Sequence, residues 1–132
     1  MEEIIKIKEA SFRISPGHWQ TYDGFAIYTD RQTIRIGISS ERSCCENFGY
    51  FMSEDNFRDF EGSTLLDIEI SDTQLRVVNG FDAENMYEGG VMFVNINTSE
   101  GLLQFVAYNE HNGYYGHDAV IISEQLTHSE HL

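Results

Sequence analysis

The chain has no uninterrupted apolar stretch longer than four residues, whereas a membrane-spanning helix needs about 20. An integral helical membrane protein is therefore excluded. Cysteine is almost as scarce: there are two, Cys44 and Cys45, and they are adjacent. Neighbouring residues cannot reach the usual disulfide geometry without strain, so a structural cross-link is not expected, and two lone thiols suit a reducing compartment. The opening segment from Met1 to Ala10 places Glu2 and Glu3 ahead of any apolar run, unlike a secretory signal. There is no internal repeat, low-complexity tract or linker. Basic residues are the last shortage, with 8 Lys and Arg against 22 Asp and Glu and a net charge of −14. Residues 1–42 are balanced, so the excess lies in the remainder, where Arg58 and Arg76 are the only bases. Such a chain repels phosphate, which disfavours direct nucleic-acid binding and favours a basic partner surface.

With 132 residues, 41% hydrophobic and 13% aromatic, the chain has material for one packed core. We expect a single globular domain over residues 1–126 and a frayed tail over 127–132. β-Branched residues in period two mark strands beginning at Ile4, over Phe25 to Thr29 and over Thr33 to Ile38. Further strand patterns cover Leu65 to Ile70, Leu75 to Val78, Val91 to Ile96, Leu102 to Tyr108 and Ala119 to Ile122. One stretch, Ser53 to Phe60, reads as a helix, with Ser53 as N-cap, acids in the first turn, apolar Phe57 and Phe60, and Gly62 past the end. The expected fold class is α+β: a mainly antiparallel, meander-like sheet of about six to eight short strands with one short helix near 53–61.

Catalytic and metal chemistry find little footing. Cys44, Cys45, His18, His111 and His117 lack the paired two-to-four-residue spacing of a structural zinc site, and adjacent strand residues point to opposite faces. No metal, cofactor or catalytic residue is assigned. Either cysteine with a histidine would make a nucleophile pair, but only Arg42 is placed to stabilise a thiolate, with Glu41 and Glu46 opposing it. At least one thiol packed in the core is the simpler expectation. A phosphate-cradling glycine loop and a calcium loop are both absent from the sequence.

Acidic residues are the strongest candidates. On the expected helix, Asp55 and Asp59 share a face with Cβ atoms about 5–6 Å apart. On the following strand, Asp67 and Glu69 share a face about 6–7 Å apart. These spacings approximate those of phosphates along a nucleic-acid strand. With Glu54, Glu61, Asp72, Asp82, Glu84 and Glu88 close in sequence, they make a row of carboxylates resembling a phosphate backbone. Fourteen excess charges exceed the roughly two to eight that keep a small domain in solution. The loop Asn109 to His117 adds Tyr114 and Tyr115, which either stack on a partner or fold inward as a core corner.

The strand Thr33 to Ile38, the Cys44-Cys45-Glu46 motif, the acidic stretch ending in Asp59-Phe60-Glu61-Gly62-Ser63, and Asn112-Gly113-Tyr114-Tyr115 together resemble a small domain family of bacteriophages and prophages. The similarity covers residues 25–122, with 71–90 unmatched, and no function is assigned to that family. It implies a phage context, hence the cytoplasm of an infected bacterial host, and carries over no catalytic residue. Small acidic phage proteins look like the anti-defence class, which includes anti-CRISPR inhibitors and DNA mimics. The expected function is therefore inhibition of a host nucleic-acid-binding defence protein, a CRISPR effector nuclease first among them, and not enzymatic. The alternative is a small metal-dependent phage hydrolase acting on a nucleotide or defence signal.

Overall fold

The computed structural model describes residues 1–17, 19–40, 47–86, 89–110 and 116–132. Among the described residues nine strands form one antiparallel sheet: β1 (Glu2–Phe12), β2 (Tyr22–Thr29), β3 (Thr33–Ser39), β4 (Asn47–Met52), β5 (Thr64–Ser71), β6 (Gly89–Thr98), β7 (Gly101–Glu110), β8 (Asp118–Ile122) and β9 (Thr127–His131). Their order across the sheet is β4-β7-β6-β5-β1-β2-β3-β8-β9. Strand β1 joins the two halves. Its Glu2 and Glu3 pair with β5, and from Ile4 to Phe12 it pairs with β2.

Register shifts at Ile4/Lys6 and at Leu65/Asp67 flank this junction. A bulge sharpens twist and bends a strand. Here the two halves turn their inner faces towards each other and share one core of Ile4, Ile7, Ile27, Ile34, Ile36, Val94, Ile96, Leu103 and Phe105. Phe25 of β2 bridges the halves, with its ring 6.0 Å from Phe105 of β7 and 5.5 Å from Tyr50 of β4. Beyond Ile4, β1 and β5 part, and the Ile7 amide donates to the Glu61 carboxylate at 2.8 Å. A buried amide needs such a partner. Gly24 and Gly37 face each other across β2 and β3, where a Cβ on Gly24 would stand 1.9 Å from the Ile36 carbonyl oxygen.

Three expectations from the sequence are corrected. The fold is almost entirely β, not α+β: among the described residues the helical pieces are two 3₁₀ turns, Phe57–Phe60 and Ala83–Asn85. Ser53 does not cap a helix, because its amide donates to the Gln104 carbonyl and its hydroxyl accepts from the Gln104 amide, prolonging the β4–β7 pairing. Phe57 and Phe60, three residues apart, suit the three-residue period of a 3₁₀ turn, and both pack against the core. The segment is also too short to sustain an α-helix by itself. Residues 75–78 form no strand beside β5 and make only an isolated bridge, Val78 to Phe81. Residues 127–131, expected as a frayed tail, are β9, paired along its length with β8 and followed by the buried Leu132. Its alternating pattern was hidden by polar residues, as befits an edge strand.

Candidate functional site

The segment from Asp72 to Met86 lies over the outer face of β6 and β7 and is what shapes the surface there. Gln104, on the outward register of β7, is 1% exposed. Its Nε2 donates to the Thr73 carbonyl (2.9 Å) and to Asn95 Oδ1 (2.8 Å), while its Oε1 accepts from the Leu75 amide (2.8 Å). Gln74 ties the segment to itself: its Nε2 donates to the carbonyls of Arg76 and Phe81, and its Oε1 accepts from the Ala83 amide. Phe81 stacks on Tyr108 at 4.4 Å and meets Phe51 edge-on at 5.6 Å, anchoring the far end.

Between this segment and the sheet runs a groove in two adjoining parts of about 490 and 660 Å³, which share Asp72, Val91 and Phe93. Its floor is Val91 and Phe93 of β6, with Leu75 and Val77 along the segment. Carboxylates of Glu69, Asp72, Asp82, Glu84 and Glu130 line it. Arg76 is its one cation among the described residues, and it is already paired with Glu54 at 2.8 Å.

The acidic residues singled out by sequence divide by place. Asp67 and Glu69 do share the outer face of β5, each accepting from an asparagine of β6: Asn97 donates to Asp67, and Asn95 to Glu69 at 3.5 Å. Asp72 and Glu84 are exposed along the same groove. Asp82 has a local structural part, accepting from the Glu84 amide (3.1 Å) and from Asn85 Nδ2 (3.0 Å) to start the second 3₁₀ turn. Glu54 and Asp55 sit instead at a separate cleft beside the first 3₁₀ turn, with Asp59 exposed on that turn. Asp55 precedes the turn rather than lying one α-helical turn from Asp59, so the expected carboxylate pair on a helix face is not formed. Glu61 is half-buried on the Ile7 amide. Glu88, Tyr114 and Tyr115 lie outside the described residues, as do Cys44, Cys45, Glu46, His18 and His111.

The separate cleft, of about 310 Å³, is lined by Phe25, Tyr50, Phe51 and Phe57 with Glu9, Glu54 and Asp55. The Tyr50 hydroxyl stands 3.4 Å from Glu9 Oε2. Burial, then the charges of Glu9 and Asp23 and the bond to Glu9, push Tyr50 up to about 12. Burial and Glu110 likewise raise Tyr108.

Sequence reading missed Glu130, Gln104 and the aromatic walls of the cleft. One pattern pointed to the covered outer face: Val91-Met92-Phe93-Val94 is apolar on both registers, which a strand with one wet face would not be. Among the described residues no three His, Cys, Asp or Glu side chains are grouped to hold a metal ion. None of the helical turns there is long and apolar enough to cross a membrane.

Residues 2–121 match a family described as a domain of unknown function, DUF7448, and the chain belongs to that family. No curated protein matches the chain, and no solved structure matches it.

Proposed function

We propose that this member of the DUF7448 family is a binding protein that occupies the basic nucleic-acid groove of a host defence enzyme, a CRISPR effector nuclease first among them, with carboxylates standing in for phosphates. The observation that carries the reading is the groove beside β5, where Glu69, Asp72, Asp82, Glu84 and Glu130 meet over an apolar floor. Asp67 and Glu69 continue it on the same strand face, two residues apart and thus about 6–7 Å, comparable to successive phosphates. Both are exposed, so a partner's Lys and Arg residues reach them without rearrangement. Phosphate-binding channels are rich in such residues. An acidic surface on a rigid sheet is steered into one and competes there with nucleic acid.

Purified effectors are to be captured on the immobilised chain and assayed for cleavage over a salt series. Binding that weakens as salt rises, with cleavage inhibited in parallel, is expected. Failure to bind any tested effector at low salt would overturn the reading. Asp67→Lys with Glu69→Lys should weaken capture at least tenfold, since two pairings at about 1 kcal/mol each become repulsions. Glu124→Lys, which reverses an exposed charge in the turn between β8 and β9, should do little.

A further inference from the structure

We propose that the cleft walled by Phe25, Tyr50, Phe51 and Phe57 and rimmed by Glu9 and Asp55 receives the guanidinium or ammonium group of a basic side chain of the protein partner. The inference rests on reading the chain as a binder of a basic surface, and it assigns that partner a specific anchor.

Shape and chemistry converge. Phe25 is held at the base by the core, 2% exposed, and meets Tyr50 and Phe57 edge-on at ring separations of 5.5 and 5.1 Å. The three rings therefore form a fixed corner. A cation within about 6 Å of such a ring is attracted by its negative face. Glu9 enters from β1, directly across from Phe25 in the β1–β2 register, and Asp55 from the turn after β4. Two carboxylates from separate elements thus flank one aromatic wall. Asp23, two residues before Phe25 on the same strand face, adds a third negative charge nearby, fixed by the Ser11 hydroxyl at 2.6 Å. Tyr50 is raised first by burial and then by the charges of Glu9 and Asp23.

Charge complementarity selects the occupant. Among the described residues lining the cleft there is no Lys, Arg or His, whereas the larger groove already includes Arg76. Glu54 is paired with Arg76 in the neighbouring hollow, which Asp55 also lines, and the Tyr50 hydroxyl bonds one oxygen of Glu9, so the second Glu9 oxygen and the cleft side of Asp55 meet an incoming cation. A volume of about 310 Å³ falls at the small end of ligand pockets and suits one side chain. An anion is repelled, and a purely apolar side chain would leave the rim carboxylates desolvated.

The test is a titration of the isotope-labelled full chain with N-acetyl-arginine methylamide, read by amide chemical shifts, against the neutral citrulline analogue of the same shape. Saturable shifts confined to residues 49–57 and around Phe25, absent with the citrulline probe, are expected. Phe57→Leu, which keeps apolar bulk, should weaken binding by about threefold to thirtyfold, the range for a lost cation–π contact. Glu9→Gln should weaken it comparably, and because Glu9 is exposed this variant decides the matter if Phe57→Leu fails to fold. Tyr50→Phe keeps the ring and should bind within about twofold of the parent. Glu100→Gln with Glu124→Gln, in remote turns, should change nothing. Equal shifts with citrulline, shifts scattered over the surface, or an equal loss in the remote double variant would overturn the proposal. The titration needs no effector, so its failure leaves the proposed inhibition standing. Saturable arginine binding without capture of any effector would leave the cleft standing and remove the inhibitor reading.

Discussion

Replacing Gln104 by Leu removes a side chain that no local sequence pattern distinguishes but on which the groove depends. Leu fits the volume, so the cost is in hydrogen bonds. The Thr73 carbonyl, the Leu75 amide and Asn95 Oδ1 each lose a partner within 2.9 Å. A typical intramolecular bond contributes about 0.5–1.5 kcal/mol net, and an unsatisfied buried group costs about 1–3 kcal/mol. Thr73 and Leu75 are exposed as residues, so water partly replaces what they lose, and the sum falls to about 2–3 kcal/mol. For a chain between the reference sizes, that corresponds to a fall in Tm of roughly 6–15 °C. Thermal unfolding by circular dichroism measures it. Limited proteolysis checks the location, since cleavage should move into residues 72–86 while β6 and β7 stay protected. A fall below about 3 °C with unchanged cleavage would refute the idea that this amide holds the segment down. Gln104→Glu sharpens the case. A carboxylate there would be desolvated and would face the Thr73 carbonyl, so its pKa is raised in the folded state. The folded protein then binds more protons than the unfolded chain, and the penalty is absent below about pH 4 and grows as pH rises.

Tyr50 titrates at about 12 in the folded chain against 10.0 for an ordinary tyrosine, so stability is lost as pH climbs from about 10 to about 12. Absorbance of tyrosinate should show a last-titrating component that Tyr50→Phe abolishes together with part of that alkaline loss. Gly37→Ala would place a Cβ 2.5 Å from the Asp23 carbonyl oxygen, forcing β2 and β3 apart, and should cost upwards of about 3 kcal/mol in denaturant unfolding. Gln74→Ala should destabilise by about 1–2 kcal/mol and weaken effector capture with the β5 carboxylates untouched, because the groove wall would loosen.

Much of the sheet was legible because its core strands obey period two. Ile34, Ile36 and Ile38 alternate cleanly, and all three are buried. The β6–β7 hairpin turns at Ser99-Glu100, between the strand patterns read over Val91 to Ile96 and Leu102 to Tyr108. Where reading failed, a long-range partner had overruled a local preference. Ser53-Glu54-Asp55 has the composition of a helix start, but Ser53 is committed to Gln104, 51 residues away. Thr127 to His131 carries too little apolar matter to announce a strand, yet β8 supplies a ready template. Leu75 to Val78 has strand composition, and still its Leu75 amide is taken by the Gln104 side chain, which draws the segment over the outer face of β6 and β7.

The same distinction governs the site. Net charge and its skew past residue 42 are sums, and sums survive without knowledge of the fold. Alternation further places Asp67 and Glu69 on one side of β5, because a strand fixes side-chain direction locally. A groove, however, needs two walls. Its second wall is residues 72–86, and what presses that wall onto β6 is Gln104 together with the Phe81–Tyr108 stack. Neither contact is encoded by spacing within the acidic stretch. The cleft at Phe25 is the more extreme case, assembled from β1, β2, β4 and the 3₁₀ turn, with Glu9 drawn from the charge-balanced region that composition had set aside. An acidic excess locates where a basic partner is attracted. The aromatic corner, which only the fold assembles, determines where one of its side chains is held, and so an equal charge removed at Glu9 or at Glu124 has unequal consequences.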